Sequence, residues 1–258
     1  MRNVRLIAKL DIKSPNLVKG IQLEGLRKMG EPNGFARKYY EQGIDEIFYD
    51  DIVASLYERN SLLDIIEMTT DYIFVPITVG GGIRNLNDVS AVLNAGADKI
   101  SINTAAIKNP RIISDVANKF GSQCMVLSIQ AKCNGNHWEA YYDNGREHGY
   151  LDVVEWAKKG QDLGAGEIIL TSVDKEGTAK GFDVSLVKAV TDVVTVPVIA
   201  SGGMGKLTDL KSVINSGNAD AVAMAHVLHY GHLTVDEVRD YCVKNNIPVR
   251  QFVAEDDK

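Results

Sequence analysis

The sequence predicts an α/β fold, a closed (β/α)8 or TIM barrel made of two similar half-barrels, and three observations predict it. The first is an internal repeat. Gly43-Ile44-Asp45-Glu46-Ile47-Phe48-Tyr49-Asp50-Asp51 is matched 121 residues later by Gly164-Ala165-Gly166-Glu167-Ile168-Ile169-Leu170-Thr171-Ser172. Val75-Pro76-Ile77-Thr78-Val79-Gly80-Gly81-Gly82 is matched at the same offset by Val196-Pro197-Val198-Ile199-Ala200-Ser201-Gly202-Gly203, and Ala97-Asp98 returns as Ala219-Asp220 one residue further on. The second is a serial alternation of short apolar runs with amphipathic segments. The third is length: 258 residues is close to the ~250 of a closed α/β barrel. An open doubly wound sheet accounts for the alternation but less well for the half-repeat.

The predicted strands are 5–11, 46–51, 74–79, 99–103, 124–130, 167–172, 196–201 and 220–225. Several are apolar at nearly every position, as strands of a parallel sheet covered on both faces must be. Helical spacing joins Leu62-Leu63, Ile65-Ile66 and Met68, then Val89, Val92 and Leu93, then Val153-Val154, Trp156-Ala157 and Leu163. Asn109-Pro110 reads as an N-cap with proline at the first helical position, and Thr234 before Val235-Asp236-Glu237 as a second helix start. Two longer loops, 12–32 and 132–149, follow strand C-termini. In the second, Trp138-Glu139-Ala140-Tyr141-Tyr142 alternates like a hairpin strand leading into Asp143-Asn144-Gly145. No linker or low-complexity tract divides the chain, so residues 1–258 read as one barrel domain.

Composition narrows the function. The chain is 45% hydrophobic, enough for a sizeable core, and its net charge of −6 with pI near 5.4 gives no electrostatic support to a nucleic-acid or anionic-membrane role. Cys124, Cys133 and Cys242 have no metal-ligand spacing and suit a reducing cytoplasm. No apolar run reaches membrane-spanning length. The chain reads as soluble and cytoplasmic, with no metal or cofactor expected.

The two glycine turns carry the first functional signal. Gly80-Gly81-Gly82 and Gly202-Gly203 each follow a strand, where glycine lets backbone N–H groups converge on an anion. Two such turns on one barrel face suggest an elongated ligand phosphorylated at both ends, with Asn103 and Thr104 assisting Gly81 and Gly82. The plain alternative is a pair of tight strand–helix turns. Asp11 and Asp51 end the first two strands, where a carboxylate can reach the barrel mouth and act as acid or base. A helix-capping or loop role is the plain alternative for Asp11, and it weighs more for Asp51 and Asp174. Lys19 can reach over the mouth toward an anion or stay solvated. The counterpart of Asp11 at the end of strand five is Gln130, which has a carboxylate's shape but no titratable proton.

Taken together, these residues resemble the cyclase subunit of imidazole glycerol phosphate synthase, the barrel half of a glutamine amidotransferase. Ala8-Lys9-Leu10-Asp11, Val18-Lys19-Gly20, Thr78-Val79-Gly80-Gly81-Gly82, Ala97-Asp98-Lys99-Ile100-Ser101-Ile102-Asn103-Thr104-Ala105, Gly166–Ser172 and Ile199–Gly203 carry the likeness, from Arg5 to about Arg250. It implies a separate HisH-like glutaminase partner, whose ammonia enters at the barrel foot and crosses the core. It also implies a charged entrance ring matched by Arg5, Glu46, Lys99 and Glu167.

The departures lie on the other side. Gln130 stands where the family has a second acid/base aspartate. Glu176, in Asp174-Lys175-Glu176-Gly177-Thr178, replaces an aspartate. His226 replaces a serine that helps bind the second phosphate, and Lys9 replaces a cysteine. That pattern resembles the paralogue branch found with bacterial surface-sugar clusters. There the barrel supplies ammonia to a sugar amidotransferase that turns an acetamido group into an acetamidino group. An active cyclase of histidine biosynthesis, relying largely on Asp11, is the alternative. A phosphate-binding scaffold that regulates the glutaminase is the third.

Overall fold

The computed structural model describes residues 3–54 and 62–251. Along the chain run β1 (Arg5–Lys13), β2 (Asn16–Ile21), β3 (Glu24–Gly30), α1 (Pro32–Glu41), β4 (Glu46–Asp51), α2 (Leu63–Thr70), β5 (Ile77–Gly80) and α3 (Leu86–Asn94). Then come β6 (Lys99–Ile102), α4 (Thr104–Lys108), α5 (Arg111–Phe120), β7 (Met125–Asn134), β8 (His137–Tyr142), β9 (Glu147–Asp152), α6 (Val153–Asp162) and β10 (Glu167–Ser172). α7 (Val184–Thr191), β11 (Val198–Ser201), α8 (Leu207–Asn215), β12 (Ala221–Met224), α9 (His226–His229) and α10 (Val235–Lys244) complete it. Eight parallel strands pair in the order β10, β11, β12, β1, β4, β5, β6, β7, and β7 pairs back onto β10. The sheet therefore closes, which removes its edges, and the fold is a (β/α)8 barrel.

Alternation along each strand sorts the residues. Outward positions such as Leu6, Ala8, Leu10, Ile47, Tyr49, Ile168 and Leu170 pack under the helices. The inward positions Ile7, Phe48, Val126, Ile169, Ile199, Ala221 and Ala223 form a separate apolar cluster inside the barrel. A charged layer lies below that cluster and a polar layer above it.

The recurrent aspartates have a structural reason. Asp45 accepts a hydrogen bond from the Leu6 N–H (2.8 Å), Asp98 from the Ile77 N–H (2.8 Å), and Asp220 from the Val198 N–H (3.0 Å). Each carboxylate sits just before one strand and satisfies an N–H at the start of the neighbouring strand, at the barrel foot where the ladder has ended. Asp45 also binds Arg239 Nη2 at 2.8 Å, tying the C-terminal helix α10 to the same end.

Three expectations are corrected. The segment after β1 is not a loop: β2 and β3 form an antiparallel hairpin, with Ile12 paired to Leu17 and Val18 to Lys28. Its apolar signal was faint because β3 is largely exposed. Asn109 closes α4, and Pro110 flanks α5 without a side-chain cap. Strand five runs on past Gln130 to Asn134, because its end pairs with β8. The Thr234 helix start, by contrast, holds a full capping box with Glu237.

α9 places His229 beneath β1. Its Nε2–H donates to the Lys9 carbonyl (3.1 Å), so Nδ1 accepts from the Tyr39 hydroxyl (2.7 Å). Burial, aided by nearby Lys19, pulls the imidazole down to about 3. The unfolded chain, with an ordinary histidine near 6.5, therefore binds this proton and the folded one does not. Stability is full above about pH 6.5 and falls by up to about 1.4 kcal/mol per pH unit as pH drops toward 3. Urea midpoints at pH 7.5, 5.5 and 4.5 are expected to fall in that order. His229→Gln is expected to flatten the decline, and an unchanged slope in that variant would refute this assignment.

Candidate functional site

At the C-terminal rim, β1 delivers Lys9 and Asp11 to the same inward face, two residues apart. The β2–β3 hairpin folds back over the mouth and brings Lys19 down onto them. The loop after β10 brings Glu176 up from the opposite wall. Asp11 is ion-paired with both Lys9 and Lys19 (2.8 Å to Lys19), Lys19 also with Glu176, and Lys9 with Asp50 (3.1 Å). Asp11 and Lys19 are each only 2% exposed. Burial alone would raise the Asp11 carboxyl, but Lys19 and Lys9 outweigh it and hold it well below the usual carboxylate range. Burial likewise works against the Lys9 ammonium, yet Asp11, Asp50 and Glu176 hold its pKa above the ordinary lysine value. The cluster is a locked set of charges, each compensated by a partner.

Other predicted residues fall into place unevenly. Gln130 lines a cavity of about 490 Å³ together with Asp51, Gly81, Gly82, Asn103 and Thr104. Its Oε1 is buried and has no hydrogen-bond partner. Asn103 spends its amide hydrogens on the carbonyls of Ser128 (3.0 Å) and Tyr141 (3.1 Å), which fixes the β7–β8 corner. Thr104 Oγ1 accepts from the Asp143 N–H at 3.1 Å. Asp51 accepts from the Val53 N–H (3.1 Å), while its neighbour Asp50 is the carboxylate paired with Lys9. Asp174 braces the rim by accepting from the Cys133 N–H at 2.7 Å. Gly177, Gly202, Gly203, His226 and Glu176 meet around a second, far smaller cavity of about 10 Å³.

Sequence reasoning missed Asp50. Strand alternation could have found it, since it shares parity with Glu46 and Phe48. The partners of Lys9 were equally hidden.

The foot of the barrel holds the other constellation. Arg5, Glu46, Lys99 and Glu167 are each the first residue of their strand. Arg5 Nη1 donates to Glu46 (2.7 Å) and Nη2 to Glu167, while Lys99 Nζ donates to Glu46 (3.0 Å) and Glu167 (2.9 Å). Glu46 also accepts from the Thr78 hydroxyl at 2.5 Å. Each carboxylate bridges both cations, so the four side chains close a ring of zero net formal charge directly under the apolar lumen.

A closed parallel barrel with glycine turns at the rim and an ion-paired ring at the foot places the chain among the (β/α)8-barrel proteins. The family model described as "Histidine biosynthesis protein" matches residues 5–234. The chain is 61% identical over 210 residues to the imidazole glycerol phosphate synthase subunit HisF of Legionella pneumophila, covering 81% of this chain and 99% of that protein. It is 49% identical over 246 residues to the HisF of Pyrococcus furiosus (95% and 98% covered), and 48% identical over 252 residues to that of Lactococcus lactis subsp. cremoris (97% of each). This chain belongs to the HisF family. The relatives' shared name favours the cyclase reading over sugar amidation. Among the described residues, no helix is long and apolar enough to cross a membrane.

Proposed function

We propose that this chain is the barrel subunit of a glutamine-dependent synthase, taking ammonia from a separate glutaminase through the ring at its foot and delivering it to the rim. The observation that carries the reading is the closed ring of Arg5, Glu46, Lys99 and Glu167 below an apolar lumen. A self-neutralised ring offers no net attraction to ammonium, and the apolar layer above disfavours any ion. Neutral ammonia bears neither penalty. At the rim, Gly81 and Gly82 with Asn103 and Thr104 frame the space for a phosphorylated ligand.

Two acceptors are in play. The name carried by the relatives supports the precursor of imidazole glycerol phosphate, with Asp11 as the acid/base group. The substitutions at the rim favour a different acceptor, and the resemblance to the surface-sugar branch makes it an acetamido group held by a third protein. Gln130 cannot exchange a proton, and Asp11, clamped by two lysines, is a weak base. Loss of one general acid/base alone costs about 10²–10⁴-fold. A direct assay supplies the chain with ammonia and the cyclase's aminoimidazole-ribotide precursor. Turnover that disappears in Asp11→Asn assigns the cyclase. No turnover, even in Gln130→Asp, rules the cyclase out, and ammonia-dependent amidination with the third protein then separates sugar amidation from a scaffold that only regulates the glutaminase.

A further inference from the structure

The cavity of about 490 Å³ carries groups of both signs. On its wall Gly81 and Gly82, with φ of 87° and 74°, bare their backbone in the left-handed region. Arg84 and Lys108 line the same cavity, and Arg84 Nε–H donates to the Gly82 carbonyl at 3.2 Å, which keeps the guanidinium beside the turn. On its floor stands Asp50, facing inward from β4.

Asp50 is half engaged. Its Oδ2 pairs with Lys9 at 3.1 Å, while its Oδ1 lies 3.0 Å from where a Cβ on Gly80 would be. Among the described residues no donor reaches Oδ1. The rim cluster holds three carboxylates, Asp11, Asp50 and Glu176, but only two ammonium groups, Lys9 and Lys19. One negative formal charge is therefore left over. The Asp50 side chain is 19% exposed, against 3% for Asp11 and 8% for Glu176, so the most open carboxylate of the three is the one on the cavity. Gln130 adds a second acceptor on the same wall, its Oε1 buried and without a donor. A carboxylate oxygen and an amide oxygen that both lack donors call for N–H groups, and the surplus charge calls for a cation.

We propose that the cavity takes a phosphate monoester that also bears a cationic nitrogen, an ammonium or amidinium group, with its phosphate on the Gly81–Gly82 turn and its N–H groups on Asp50 Oδ1 and Gln130 Oε1. Lys9 holds one oxygen of Asp50 and fixes the carboxylate's orientation, which leaves the other oxygen to the ligand. A neutral group in that place would leave the surplus charge desolvated and unpaired, so Asp50 selects the charged ligand over its neutral twin. The inference rests on the reading of that turn as a phosphate site and names the ligand class for it.

The test is calorimetric titration of the full chain with glucosamine 6-phosphate, glucose 6-phosphate, N-acetylglucosamine 6-phosphate and phosphate-free glucosamine. At pH 6.5 the wild type is expected to bind glucosamine 6-phosphate about tenfold more tightly than glucose 6-phosphate. The N-acetyl sugar, neutral at the same position, is expected to bind no better than glucose 6-phosphate. Asp50→Asn is expected to remove the preference and to keep glucose 6-phosphate within about threefold of its wild-type affinity. The wild type alone gives a second reading that no misfolded variant can spoil: at pH 9, above the ordinary range of an α-amino-type group near 8, the preference is expected to vanish. Equal affinity for the amine and glucose 6-phosphate at pH 6.5, or a preference that survives either Asp50→Asn or pH 9, would overturn the proposal and leave the phosphate reading standing. Glucosamine bound as tightly as its phosphate, or no binding of any sugar phosphate, would overturn the phosphate reading and the proposal with it.

Discussion

Replacing Asp11 by alanine is expected to cost more stability than any other single change at the rim. Among the described residues, Asp11 is the only carboxylate paired with both Lys9 and Lys19, and all three are buried. Without it, Lys9 keeps Asp50 and Lys19 keeps Glu176, but two ammonium groups face each other across an apolar gap. Removing one member of a buried, paired set costs about 3–5 kcal/mol. Asp11→Asn, which keeps shape and some hydrogen bonding, is expected to cost less. Lys9→Met should partly rescue Asp11→Ala, because it removes one of the two mutually repelling ammonium groups. Urea denaturation of the three single variants and the Lys9→Met/Asp11→Ala pair measures this directly. Strictly additive losses would mean that the charges act independently.

The second large effect is expected at the foot. Glu46 is 1% exposed and accepts from Arg5, Lys99 and Thr78. Lys99→Met removes one of the two cations and leaves Glu46 and Glu167 sharing only Arg5. The repulsion between them opens the ring and gives water a path into the lumen. Under the ammonia-passage reading, the complex with its glutaminase should then lose nitrogen to bulk solvent, while turnover driven by added ammonium salt stays near the wild-type rate. A variant that lost both activities equally would point to a structural role for the ring instead.

Much of this was legible in the sequence, for a physical reason. Strands buried on both faces show unbroken apolar runs, so β4 and β10 were bounded to the residue. The four charges of the foot ring were expected from the family resemblance, and each stands at the first residue of its strand. What stayed hidden depends on pairs distant in the chain. Nothing local tells that Lys9 meets Asp50, that His229 binds a carbonyl 220 residues away, or that Glu176 reaches the Gly202 turn. The β2–β3 hairpin escaped because its outer strand buries little apolar surface. Gln130 was read as a departure from the family's pattern, while the unpartnered state of its Oε1 could come only from coordinates.

The most direct measurement follows the nitrogen. The reconstituted complex with its glutaminase is given amide-15N glutamine in excess unlabelled ammonium, with whichever acceptor turns over. Passage through the barrel predicts product whose new nitrogen is almost entirely 15N in the wild type, and diluted toward the bulk ratio in Lys99→Met. Product at the bulk ratio in the wild type would contradict it.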